Sequence, residues 1–138
     1  MSQGLENTTQ PFIDRRQSNA TADSPGVERR QFSNSYEDLS PGALPPTDAL
    51  VHPQTRARFR ALLWLGLTDA LRALHPRGKV WTFWDYQAGA WPRDIGLRID
   101  HVLLSPTLAE RLAAAMADRR EREQEQPSDH VPVLVELD

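Results

Sequence analysis

Cysteine is absent from the 138-residue chain, which excludes a disulfide framework and any thiolate-ligated zinc centre. No apolar run reaches the length of a bilayer span, and the polar start MSQGLENTTQ lacks the basic-then-apolar order of a signal peptide. A cytoplasmic protein with no membrane partner is expected. There is no basic surplus either, since the net charge of −3 does not advertise nucleic acid. Large apolar side chains are scarce at one end. Residues 1–46 hold five of the eleven prolines and six serines, too little apolar surface to offset the chain entropy of folding. They are read as a disordered leader or linker, and residues 47–138 as the ordered part.

What remains is patterned. In PQTRARFRALLWLGL, Phe59, Leu62 and Leu63 fall at helical spacing and Gly66 closes the helix. TDALRALHP offers Thr68 or Asp69 as an N-cap, Leu71 and Leu74 as a buried side, and Pro76 as a stop. KVWTFWDY and LRIDHVLLS read as strands, the second apolar enough to be covered on both faces. TLAERLAAAMADRRERE predicts a helix from its alanine and leucine content, and VPVLVEL a strand with Val131, Val133, Val135 and Leu137 on one face. The fold class is α/β. Three strands and three helices in this length make at most half of a layered sandwich, so a covering half is expected to be missing.

Two Asp-His dipeptides concentrate the candidate chemistry, Asp100-His101 and Asp129-His130. Neighbours on a strand point to opposite faces, so one member of each pair is the candidate functional group. Attack of water on a phosphodiester needs a base with a pKa near neutral, which His130 supplies, with Asp100 as the carboxylate that fixes its tautomer. Asp129 could hold a hard divalent cation. The plainer alternatives are that Asp100 pairs with Arg98 two positions away, and that Ser128 and Asp129 merely cap a turn. The aromatic run Trp81, Phe83, Trp84, Tyr86 and Trp91 is either core or a stacking surface for bases and sugars. Charge divides along the chain. Residues 51–100 carry eight Lys or Arg against four acids, whereas 101–138 carry four against eight.

Taken in order, WTFWDYQAGAW, GLRIDHVLLSP and PSDHVPV resemble the C-terminal part of exodeoxyribonuclease III, in the endonuclease/exonuclease/phosphatase superfamily. The resemblance covers roughly residues 48–138. It implies the C-terminal portion of a four-layer DNase I-like α/β sandwich and a phosphodiesterase dependent on Mg²⁺ (or Mn²⁺). Such an enzyme cuts double-stranded DNA at abasic sites and trims 3′ ends. Carried over, His130 matches the catalytic histidine, Asp100 the carboxylate orienting it, and Asp129 the acid of the metal site. Phe83, Leu97 and Ile99 match an apolar pocket for the baseless sugar, with Trp84 and Arg98 as further DNA contacts.

The departures matter too. No Gly-Asp dipeptide occurs, so the family's Gly-Asp-x-Asn segment is lacking, as are its glutamate metal ligand and active-site tyrosine. Asp94 stands where the family usually has Asn, and Gln126 where a Lys commonly precedes Pro-Ser-Asp-His. The expectation is an incomplete nuclease, weakly active or inactive alone, whose missing N-terminal half carries most metal and phosphate contacts. The alternative is a non-enzymatic remnant or a module binding nucleic acid or a partner.

Overall fold

A computed structural model describes residues 13–14 and 38–138; the rest of the expected leader lies outside the described residues. Helix α1 spans Pro53–Trp64, with proline in its first turn where a missing N–H costs nothing. Gly66, just past it, adopts φ +97°, the left-handed conformation that ends a helix. Strand β2, Thr68–Asp69, runs into α2, Ala70–Leu74, and the Asp69 carboxylate caps α2 by accepting from the Arg72 amide at 3.1 Å. β3, Leu103–Leu104, pairs antiparallel with β2, and Ser105 then caps the short α3, Pro106–Glu110. The second sheet has the order β1-β4-β5, formed by Ile13–Asp14, Leu112–Ala117 and Val133–Leu137, all antiparallel neighbours.

The predicted long helix over residues 107–123 does not form. It breaks into α3, strand β4 and a 3-10 helix over Arg119–Glu123. Helix propensity favoured by the alanines yields to tertiary context: Leu112, Ala113, Ala114 and Ala115 are buried, and small side chains suit a central strand covered on both faces. The predicted strands over KVWTFWDY and LRIDHVLLS are also largely replaced. Apart from β3, they are extended segments joined by single bridges, Phe83 to Leu97 and Phe83 to His130.

Two apolar clusters fill the interior. Ala70, Leu71, Val80, Leu104, Leu112 and Ala115 form one, with Val133, Val135 and Leu137 of β5 packed on it. Trp81, Trp84, Ala90 and Val131 form the other, where Trp84 and Trp91 meet edge to face at 4.8 Å. Each fully buried large side chain contributes roughly 1.5–3 kcal/mol. Gly96 lies flat against Trp81, because a Cβ there would fall 2.4 Å from the indole Cγ.

Between these clusters lies a charged one. Arg98 is 2% exposed and donates to both Asp38 oxygens, at 2.7 and 3.0 Å, and to Asp69 at 2.6 Å. Arg72 adds a 2.7 Å bond to Asp38 and reaches the carbonyls of His75 and Gly78. The backbone of residues 38–40 runs along residues 96–98, with Ser40 N–H donating to Gly96 O and Arg98 N–H to Asp38 O. Asp38 to Ser40, assigned by composition to the leader, thus belong to the packed structure. Their few side chains are held by charge and backbone pairing, which apolar content does not register.

Burial raises the Asp69 carboxyl, but its His101 hydrogen bond, the Arg98 charge and hydrogen bond, and the Arg72 amide outweigh this and bring it to about 2. Asp38 is likewise lowered, with burial opposed by Arg98 and Arg72 together. A carboxyl depressed on folding contributes stability above its unfolded pKa and loses it as pH falls through the folded one. Stability is therefore expected to decline between about pH 4 and about pH 2 as Asp69 protonates. At neutral pH, Arg98→Met, which takes the arginine partner from buried Asp69 and leaves Asp38 with Arg72 alone, is expected to cost about 3–5 kcal/mol in urea unfolding. A loss below about 1 kcal/mol would contradict the cluster.

Candidate active site

Three extended segments, 82–84, 97–100 and 129–131, converge on one exposed pair. His130 Nδ1 stands 2.8 Å from Asp100 Oδ2, with the two side chains 43% and 39% exposed. A carboxylate accepts only, so in the neutral imidazole Nδ1 carries the proton and Nε2 keeps its lone pair. The Phe83 ring meets the imidazole edge-on, centroids 5.0 Å apart, giving it an apolar wall. Ser128 Oγ accepts from the His130 amide at 3.1 Å and sets the turn that presents the ring.

Thr82 ties the pair together. It is fully buried, and its Oγ1 accepts from the amides of Ile99 and Asp100 at 3.1 and 3.2 Å. Its carbonyl accepts from the Val131 amide at 2.9 Å, and the neighbouring Trp84 amide donates to the Asp129 carbonyl at 2.9 Å. One residue thus fixes the backbone beside Asp100 and beside His130.

The structure separates the other predicted residues. Asp100 faces His130 rather than Arg98, because the segment is not a regular strand and consecutive amides, those of Ile99 and Asp100, turn toward one hydroxyl. Phe83 and Ile99 are half-buried near the pair, whereas Leu97 is 3% exposed. Trp84 and Arg98 are corrected as DNA contacts: Trp84 is fully buried and Arg98 is spent on Asp38 and Asp69. Asp94 adopts φ +51°, and its Oδ1 accepts from Trp84 Nε1 and Arg119 Nη1, both at 3.1 Å, so its charge is matched by Arg119 at the start of the 3-10 helix. His101, on the other face from Asp100, pairs with buried Asp69 at 3.2 Å and lies against Phe59.

Asp129 is half-buried beside the pair. Among the described residues no three His, Asp or Glu side chains stand close enough to hold a metal ion. A magnesium ion keeps several waters and is held by one or two carboxylates with phosphate oxygens; with Asp100 engaged by His130, Asp129 is what this site would offer it, and the described residues leave the ligand set incomplete. An open groove of about 490 Å³ runs beside His130, bordered by Glu121, Glu125, Gln126 and Ser128.

The chain is a mixed helix and strand fold with an exposed His-Asp pair on bridged extended segments, and its sequence matches one family. Its profile, the Endonuclease/Exonuclease/phosphatase family, matches residues 18–130, and the chain belongs to that family. Within it the chain is similar to exodeoxyribonuclease III of Haemophilus influenzae, 38% identical over 86 residues, which are 62% of this chain and 32% of that protein. Among solved structures it is similar to an AP endonuclease from Archaeoglobus fulgidus, with TM-score 0.69 and 35% identity over 75% of this chain and 41% of that one. The 3′ phosphatase NExo from Neisseria, solved bound to a product DNA hairpin, gives TM-score 0.61 and 46% identity over 62% of this chain and 34% of that one. The fold is therefore of the DNase I-like α/β class, and the chain spans about a third of the length of the curated relative. Among the described residues no helix is long and apolar enough to cross a membrane.

Thr82, Asp38 and Asp69 escaped the sequence reading of the site. A signal existed for two of them: Thr82 is the one aliphatic hydroxyl in an aromatic run, and Asp69 is an acid inside the apolar stretch LGLTDALRAL. Thr82→Val keeps the shape but leaves two amides without an acceptor. It is expected to cost about 1–3 kcal/mol in urea unfolding and to speed hydrogen exchange at the Asp100 amide. An unchanged Asp100 exchange rate would refute the tether.

Proposed function

We propose that this chain carries the histidine-carboxylate half of a DNA phosphodiesterase site of exodeoxyribonuclease III type, acting on abasic sites and 3′ ends of double-stranded DNA. The observation that carries the reading is the 2.8 Å bond between His130 Nδ1 and Asp100, which leaves Nε2 as the base on a ring 43% exposed. In the proposed step water attacks phosphorus and its proton passes to His130 Nε2. The bond from phosphorus to the leaving oxygen breaks, that oxygen takes a proton from solvent water, and Asp100 stabilises the imidazolium until it returns its proton to solvent. Phe83 and Ile99 offer the apolar surface for a baseless sugar.

A divalent cation, Mg²⁺ or Mn²⁺, belongs to this family's chemistry and would neutralise developing phosphate charge. Asp129 supplies one carboxylate toward it, and no step is assigned to the cation here, since the described residues do not complete a site. Glu121 and Glu125 along the groove also repel phosphate. Cleavage by the chain alone is accordingly weak or absent, and full activity calls for further acidic ligands carried outside the described residues.

A second reading, a module that binds nucleic acid or a partner without cutting, draws on the exposed end of α1, where Trp64 is 82% and Leu65 78% exposed. Incubation of the purified chain with an abasic duplex and Mg²⁺ separates the two. At most a trace of incision, lost in His130→Ala, is expected. Robust incision would overturn the expectation of weak activity, incision unaffected by His130→Ala would overturn the assigned role, and salt-dependent binding with no cleavage favours the module.

A further inference from the structure

The segment leading into His130 is held from residues 84–86 by one side-chain hydrogen bond and one backbone hydrogen bond. Tyr86 donates its hydroxyl proton to the Pro127 carbonyl at 2.9 Å, three residues before His130. Arg122 is 7% exposed, lies 5.0 Å from the Tyr86 ring centroid and 5.7 Å from that of Trp91, and donates to the Trp84 carbonyl at 3.4 Å. Its Nε finds no hydrogen-bond acceptor while buried, which leaves the aromatic faces as what that edge of the guanidinium meets. Trp84 in turn donates its amide to the Asp129 carbonyl.

Residues 84–86 therefore grip the turn before His130 at two points, one at Pro127 and one at Asp129, and Arg122 touches both grips. Gln126, just before the first grip, sits at φ +52°, a conformation that costs a non-glycine residue of order 1 kcal/mol or more and needs outside support. Neither Tyr86 nor Arg122 reaches the His130-Asp100 pair, so both act through the backbone.

We infer that Tyr86 and Arg122 are positioning residues for His130, a clamp that holds the Pro127 to Asp129 turn so that the imidazole stays on Asp100. The word positioning rests on the phosphodiesterase reading, so the test reads the imidazole rather than turnover and can fail independently of it.

Tyr86→Phe removes only the hydroxyl of a side chain that is 63% exposed, and Arg122→Lys keeps the charge but loses the flat stacking surface. The full chain is labelled with ¹⁵N, and exchange of the His130 Nδ1 proton is measured beside the thermal unfolding midpoint. The expected result for Tyr86→Phe is exchange at least about fivefold faster with an unchanged midpoint, a change that general loss of packing would not produce. Unchanged exchange in Tyr86→Phe overturns the clamp, as does faster exchange accompanied by a lowered midpoint. Arg122→Lys is expected to match Tyr86→Phe in direction, and an Arg122→Lys rate equal to wild type removes Arg122 from the clamp.

Discussion

The structure depends on where Arg98 puts its charge. Its guanidinium sits between the carboxylates of Asp38 and Asp69, fully enclosed, and those two acids belong to segments 60 and 29 residues away in sequence. Removing such ions from water costs several kcal/mol each, and only near-complete pairing offsets it. The cluster is therefore better understood as a selector of one arrangement than as a large net source of stability. The way residues 38–40, 69–72 and 96–98 come together leaves Asp38, Asp69, Arg72 and Arg98 each with a charged partner. Asp69 does three things at once in that arrangement, capping α2, receiving Arg98 and meeting His101.

The exposed pair is a consequence of this buried cluster. Arg98 anchors its segment inward, and Gly96 presses the same segment against Trp81, the neighbour of Thr82. Thr82 then takes the amides of Ile99 and Asp100 on its hydroxyl and the amide of Val131 on its carbonyl. A buried threonine that spends its polar atoms in this way has little freedom, so Asp100 and His130 meet with their geometry set in advance. Fixed geometry of this kind is the contribution a folded chain makes to acid-base chemistry. The pair stays open to solvent, as the proposed role of His130 requires.

Sequence patterns disclosed the first two helices and the C-terminal strand well. Pro53 and Gly66 punctuate α1, Asp69 caps α2, and the alternation from Val131 to Leu137 gives β5 its half-buried side. The alanine-rich stretch was misleading because helix propensity is a weak prior against tertiary context, and β4 is a central strand that small side chains allow to be buried on both faces. The leader boundary moved for a related reason. Asp38 and Ser40 look like linker residues by composition, and only their distant partners Arg98, Arg72 and Gly96 show that they are packed. At the site, His130 and Asp100 could be named because a base and a carboxylate have recognisable chemistry. Thr82 could not, since its role is to receive amides from residues 17 and 18 positions away.

Family membership and local chemistry meet at the imidazole. Similarity to an exodeoxyribonuclease III and to an AP endonuclease gives the fold its class, while the donor set among the described residues stops short of a cation site. What the described residues hold is an imidazole oriented by a carboxylate. The most direct measurement is the tautomer of His130 in the intact chain at neutral to mildly alkaline pH, read from the two ring nitrogens by long-range ¹H–¹⁵N NMR. A proton resident on Nδ1, with Nε2 unprotonated and the state lost in Asp100→Ala, is the expected result. A resident proton on Nε2, or a ring indifferent to Asp100, would contradict the account.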